Sequence, residues 1–464
     1  MLNHPLQKIQ LPDTDLIVQN RNFDAKWYLI FICFALVIML PRLYYVENFA
    51  IALPFWDQWD SEWAGLLKPW IEGNLRFSDL YAPHNEHRIF PTRLTTLFLF
   101  LINGTWNNLT EARFNIPLSA LTPLMLIWLI CKYERISGPR WLVIAVILAG
   151  ASLPFSWENI LIGFQSQFYY LNFFTLCALA LSVFHSDKYA SIAGILFFCT
   201  LSILTSASGL FTCIAVVIVY SLNSFIKGKL TLQSALTILI LLFMSFMAYY
   251  TMPVVEGHKI LHAANVGEFL TAFARIMGWP LRGRQLLLGL MWLPSLITIP
   301  ILILRRKISA IDLLMIGCFA WTGMQIAALA YGRGHEMIYL ISRYTDVLLL
   351  GLAGNSWFIL RIPETIRKSR MAHKLLYVLV AMFYFGICLS FINRTKGDIK
   401  TLAEERGHRI DQATNVCGYL RTKDFMYIDK TGLQIPYPNA DLLKKYLDDP
   451  QLRKVLILDN CPLE

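Results

Sequence analysis

Formal charge is scarce in this chain. Charged residues make up 16% of its 464 positions, against roughly 25% in soluble domains. It also has no Gly-x-x-x-x-Gly-Lys-Ser/Thr loop, no Gly-x-Gly-x-x-Gly turn and no Cys-x-x-Cys pair. Without these elements neither ATP-driven transport nor redox-cofactor chemistry has support. What fills the chain instead is apolar. Hydrophobic residues reach 56% and aromatic residues 14%, with a mean hydropathy of +0.50. That composition excludes a disordered, collagen-like or small disulfide-scaffold protein and points to a polypeptide crossing a membrane many times.

Charge-free stretches give the spans. Eighteen uncharged residues separate Arg113 from Lys132, 285–304 and 313–332 hold 20 each, and 375–393 holds 19. A helix needs ~20 residues to cross the hydrocarbon core. The 38 uncharged residues of 189–226 would make one helix of about 57 Å, too long for a core of about 30 Å. They are read as two helices turning at Ser206-Ala207-Ser208-Gly209. Spans are expected at 27–45, 113–131, 141–157, 168–185, 190–206, 209–225, 231–251, 285–304, 311–331, 346–360 and 375–392. The expected fold class is therefore an all-α polytopic bundle of about eleven transmembrane helices.

Net charge is +10, and its placement sets the orientation. Lys132, Arg135 and Arg140, then Lys188, Lys227 and Lys229, Arg305 to Lys307, and the run from Arg361 to Lys374 occupy every second loop. Basic loops stay on the cytoplasmic side. The polar tail 1–26, with no cleavage site after its first apolar run, is placed there too. Spread over separate loops, these cations do not form a nucleic-acid face. The short apolar run 94–104 is read as part of an interfacial helix over 88–106, inside one external segment, 46–112. Residues 394–464 are expected to form a small external α/β domain. It would hold short helices at 411–422 and 441–454 and a strand at 455–458. Its two cysteines, Cys417 and Cys461, stand alone in a polar tail and are expected to pair in an oxidising compartment.

Polar residues cluster on the outer side. After the first span comes Phe55-Trp56-Asp57-Gln58-Trp59-Asp60-Ser61-Glu62-Trp63. In a helix, Asp57 and Asp60 would share a face, and two close carboxylates suit general-base work. The alternative is an interfacial helix anchored by its tryptophans. His84, Glu86, His87, Arg88 and Arg93 follow within ten residues, a set suited to phosphate or hydroxyl groups. A metal site there lacks a common ligand spacing. Glu158, the sole formal charge between Arg140 and Asp187, sits with Asn159, Gln165 and aromatic residues, as in a sugar site. Arg333, Arg343 and Tyr344 lie at the outer ends of later spans, where an arginine calls for a partner or an anion.

In order and hydropathy this layout resembles the GT-C glycosyltransferases, which use polyprenyl-phosphate sugars. The nearest likeness is to the protein mannosyltransferase, aminoarabinose transferase and O-antigen glucosyltransferase branches. Asp57-x-x-Asp60-x-Glu62 is similar to the family's first-loop acidic motif. Glu158 stands where the second external loop carries an acid, and Ser342-Arg343-Tyr344 is similar to the Arg-Tyr opening a late span. The Lys-Pro-Pro-Leu element of the mannosyltransferase branch is absent; His84-Asn85-Glu86-His87-Arg88 stands there. The resemblance implies a GT-C-like bundle that transfers a sugar from a polyprenyl-phosphate donor to a hydroxyl on a glycan or lipid-linked acceptor, in the cell envelope of a bacterium. Catalytic acids are then expected among Asp57, Asp60, Glu62 and Glu158. His84, His87, Arg88, Arg93, Gln165, Arg333, Arg343 and Tyr344 are expected around the donor. Some relatives use a divalent metal such as Mg or Mn. A lipid-linked glycan transporter and an O-antigen polymerase or ligase are the rival readings. The first needs polar residues through the midplane, and the second a late functional loop.

Overall fold

The computed structural model describes residues 23–464 except 137, 187, 282–288, 336, 366–369, 459, 460 and 462–464, and except the side chains of 365 and 370–373. Most of the expected N-terminal tail thus lies outside the described residues. Among those described, the chain is helical, with no strand and only two isolated bridges.

Nine described helices are long and apolar enough to cross a membrane. Two shorter apolar helices, Tyr189–Thr205 and Gly289–Leu304, occupy the fifth and eighth expected spans. Local chemistry starts and stops these helices. The Asp24 carboxylate accepts the Trp27 N–H (3.2 Å) at the head of Ala25–Phe49. Asn107 caps Asn108–Tyr133 by accepting the Leu109 and Thr110 amides. Ser309 and Asp312 form a reciprocal capping box at Ala310–Gly332.

Burial sorts the bundle. Ser342–Glu364 has 89% of its apolar window buried, whereas Leu232–Tyr250 has 17%, so the former is the central post and the latter a peripheral helix. A Cβ on Gly351 would come within 2.6 Å of Thr322. Glycine there lets the central post and Ala310–Gly332 touch backbone to side chain.

The last helix departs from expectation. It runs unbroken as Arg370–Thr422, 53 residues, or about 80 Å at 1.5 Å per residue. No boundary falls at 393/394, and the amphipathic stretch 411–422 is simply its far end. Instead of one helix over 441–454 there are two, Ala440–Leu447 and Pro450–Val455. Asp449 caps the second by accepting from Gln451 N–H, and Pro450 starts it. In place of the strand at 455–458, Leu456 makes an isolated bridge to Trp106. The C-terminal segment is thus helical, and it packs on the first long loop. Trp59, Trp63 and Trp106 form one core with Val416, Tyr419, Leu443, Leu447 and Leu452. Cys417 and Cys461 are joined by a disulfide.

Candidate functional site

The first loop separates its three acids. Trp56 has φ +47°, a conformation that costs a bulky residue roughly 1–2 kcal/mol, and its N–H donates to the Pro436 carbonyl (2.8 Å). This turn precedes a helix that begins at Asp57 and runs as a π-helix over Trp59–Leu67, and Asp57 and Asp60 take different partners. Asp60 is enclosed by the C-terminal segment, accepting from the Tyr437 hydroxyl (2.9 and 3.0 Å) and the Tyr446 hydroxyl (2.8 Å). Glu62 is 1% exposed and accepts from Trp106 Nε1–H (2.9 Å) and Gln58 Nε2–H (3.0 Å). The same amide reaches the Glu111 carboxylate (3.3 Å). Burial, against the pull of its hydrogen-bond donors, pushes Glu62 up to about 7. Asp60 and Glu62 are thus both engaged by hydrogen bonds within the fold. The tryptophans are not a headgroup belt either: Trp59 and Trp63 are fully buried and only Trp56 is exposed.

Asp57 is half-buried, with a side chain 41% exposed. Its Oδ1 lies 3.5 Å from His84 Nε2. Burial opposes its ionisation, but His84, then Arg343 and His87, outweigh that and hold its carboxyl below the usual range. A tight turn presents the two histidines. His84 and His87 exchange both backbone N–H···O bonds (2.7 and 3.0 Å) across Asn85, at φ +52°. Burial, with repulsion from His84 and Arg333 and despite the attraction of Glu86, drops His87 to about 4. A neutral ring fits its geometry, because His87 Nδ1 accepts the Ala207 N–H (3.1 Å). Glu86 turns away from Asp57, bonding His258 Nδ1 (2.5 Å) with Arg333 at 4.0 Å.

Glu158 is tied to the head of the central post. Its Oε2 accepts from Ser342 Oγ–H (2.8 Å) and the Arg343 N–H (3.0 Å). Asn159 Nδ2–H donates to the Arg343 carbonyl and to Asp346 Oδ2 (both 2.8 Å). Asp346 in turn faces Arg42 (3.6 Å), which is 3% exposed and donates to Tyr169 Oη (2.9 Å) and the Ala151 carbonyl (2.7 Å). This chain of bonds fixes the backbone that carries Arg343. The Arg343 guanidinium lies against Tyr344 (5.5 Å to the ring centre) and within electrostatic reach of both Glu158 and Asp57.

The other expected donor residues bond or pack within the fold. Arg93 is buried and donates from Nη1 to the Asp79 and Ala82 carbonyls (2.9 and 2.5 Å). Burial lowers its pKa to about 10. Arg88 reaches the Tyr81 and Thr251 carbonyls (3.5 and 3.4 Å). Gln165 is buried and accepts from Gln167 (3.4 Å). Tyr344 is buried edge-on to Phe168.

Sequence reasoning missed three residues. Glu111, opposite Glu62, begins a span and so reads as a boundary acid. Gln58, fully buried, bridges that pair and accepts the Phe55 N–H (2.9 Å). Arg409, in the last helix, lies over the Phe55 ring with the charge of Glu158 acting on it. No sequence signal marks it among the other charges of 394–422.

The site thus holds the half-buried Asp57, a neutral and a pairing histidine, and two arginines, on the first loop, the central post and the last helix. Among the described residues, no three His, Cys, Asp or Glu side chains converge as a metal ligand set. The residues here do not fit a metal. Comparison with protein-family models, curated proteins and solved structures yields no match.

Proposed function

We propose that this multi-pass membrane protein is a glycosyltransferase. It moves a sugar from a polyprenyl-phosphate donor to a hydroxyl of a glycan or lipid-linked acceptor, at the outer face of a bacterial membrane. The observation that carries the reading is Asp57, an open carboxylate held ionised beside His84 with Arg343 in reach. In the reaction, Asp57 takes the acceptor's hydroxyl proton as that oxygen bonds the anomeric carbon. The bond from that carbon to the phosphate oxygen breaks, and its electron pair leaves with the polyprenyl phosphate. Arg343 stabilises the departing charge, an electrostatic task strengthened where water is thin. His84 orients Asp57. Glu158 and Asn159 hold the Arg343 backbone.

The test is transfer of radiolabelled sugar from polyprenyl-phosphate donors in membranes. Asp57→Asn keeps shape but removes proton acceptance, and the expected loss is 10²–10⁴-fold in rate with near-normal folding. Wild-type turnover by that variant would eliminate Asp57 as the base. Orientation has its own check. An impermeant thiol reagent should label an introduced cysteine at Arg421 from outside and leave one at Ser309 untouched; the reverse pattern would put the site in the cytoplasm.

A further inference from the structure

Beyond the spanning helix Leu232–Tyr250 the chain forms a 3-10 helix, Glu256–Leu261, and a short α-helix, Val266–Met277. Asn265 caps the second by accepting the Glu268 N–H (3.0 Å), and the Glu268 carboxylate accepts the Ala264 N–H (2.9 Å). This helix has 12 residues, or about 18 Å at 1.5 Å per residue, too short for a core of about 30 Å. Its surroundings are nevertheless not those of a polar loop in water. Val254, Ile260 and Val266 are each 73% exposed, and Leu270 is exposed as well.

Both helices divide into three sides. With three residues per turn, Glu256 and Lys259 stack in an exposed ion pair (2.8 Å). His258 turns to the protein, bonding Glu86 through Nδ1 (2.5 Å), and Ile260 stands on the third side. In Val266–Met277, Ala272 and Ile276 are buried against the bundle. At 3.6 residues per turn, the exposed Val266 and Leu270 lie about a third of a turn from them. Glu268, Thr271 and Arg275 gather nearly opposite that exposed pair. One side for the bundle, one apolar and one polar is the pattern of a helix lying in a membrane interface.

Neighbouring spans set the depth. The segment leaves Leu232–Tyr250 at exposed Tyr249 and Tyr250, and tyrosines at span ends mark the headgroup level. It is bonded to the end of a second span, Ala310–Gly332. Ala263 N–H donates to the Tyr331 carbonyl (2.9 Å), and His335 N–H to the Leu261 carbonyl (3.1 Å). The exposed apolar residues of the first span, Leu239, Phe243 and Phe246, run on along the chain into Val254 and Ile260. We propose that residues 254–277 are seated in the headgroup layer of the leaflet at the site end of the bundle. Val254, Ile260, Val266 and Leu270 enter the acyl chains there. Lipid is the partner because the exposed apolar side chains continue those of a span. Through Glu86–His258, and through Arg88 on the Thr251 carbonyl (3.4 Å), the seat holds the turn bearing His84 and His87 at the membrane surface. The seating does not depend on the reaction proposed above.

The experiment uses the full-length protein in phosphatidylcholine vesicles. A nitroxide is placed on single introduced cysteines after the exposed Cys33 and Cys388 are changed to Ala. Power-saturation EPR compares collisions with oxygen, which concentrates in lipid, and with a nickel chelate, which stays in water. At Val254→Cys, Ile260→Cys, Val266→Cys and Leu270→Cys the oxygen-to-nickel ratio should be several-fold higher than at Glu256→Cys, Lys259→Cys and Thr271→Cys. The adjacent Lys259 and Ile260 give the sharpest contrast. Nickel dominating at every position would put the segment in water and overturn the proposal. Oxygen dominating at every position would put it inside the hydrocarbon core and overturn interfacial seating. Exclusion of both reagents from the apolar positions would mean that protein covers that side, which overturns lipid as the partner.

Discussion

Two groupings of carboxylate and arginine sit at opposite ends of the helical bundle, and they are completed differently. At the end bearing the basic loops, Asp312 is fully buried and accepts from Trp357 Nε1–H (2.7 Å) and from Arg361 Nε–H and Nη2–H (3.0 and 2.8 Å). It also accepts the Ser309 N–H (2.9 Å), and Arg361 is shared with Glu364. At the other end, Asp57 has one partner at 3.5 Å, Arg409 has an orphaned donor, and the intervening Trp56 is backbone-strained. A buried polar group satisfied on every side rigidifies a fold. One left incomplete calls for an explanation beyond packing. The contrast separates scaffold from site more sharply than residue type does, since both ends use the same pair of side chains.

That comparison can be broken first at the satisfied end. Asp312→Ala leaves Arg361 buried without its bidentate partner, and breaking such a pair costs about 3–5 kcal/mol. The variant should show a sharp fall in folded yield and melting temperature, measured by fluorescence-detected size exclusion. If it folds normally and loses transfer instead, the assignment of roles to the two ends is inverted.

A smaller effect is expected at Glu62. Its folded pKa of about 7 lies above the ordinary 4.5, so the folded state keeps a proton that the unfolded chain gives up. The associated stability is fully present below about pH 4.5, falls as pH rises towards 7, and is absent above it. At ~1.4 kcal/mol per unit the effect is on the order of 3–4 kcal/mol. Glu62→Gln should therefore melt higher than wild type at pH 8 and flatten the fall between pH 5 and 7. An unchanged pH–stability curve would show that Glu62 titrates normally.

The smallest effect tests whether Asp60 belongs to the scaffold. Tyr437→Phe removes one of the two tyrosines that donate to Asp60 and should cost about 1 kcal/mol, seen as a modest shift in urea midpoint. The rate constant for transfer should stay within about twofold of wild type. A rate loss like that of Asp57→Asn would return Asp60 to the list of catalytic groups.

The eleven apolar segments were legible because a membrane span is a local property: length and hydropathy over ~20 residues suffice. Nine of the expected segments lie in helices long enough to cross a membrane, and 190–206 and 285–304 fall on shorter apolar helices. The acidic first loop and Ser342-Arg343 were legible as polar clusters beside spans. Which acid stays free was not. Asp60 is claimed by Tyr437 and Tyr446, 377 and 386 residues away in sequence, and Glu62 by Trp106 and Glu111. Glu158 looked like a lone acid until Ser342 and Arg343 were brought to it. Arg409 was hidden because the last helix runs on past the membrane and delivers it to Phe55.

The sequence by itself determined the all-α, many-span character of this protein and the neighbourhoods where its polar residues gather. Hydropathy acts through each segment's own transfer into an apolar phase and needs no distant partner. Only the tertiary structure decided which of those polar residues are spent on holding the molecule together and which are left over. Hydrogen bonds and ion pairs depend on distances of a few ångströms between groups hundreds of residues apart, and a linear pattern of residue types does not carry those distances.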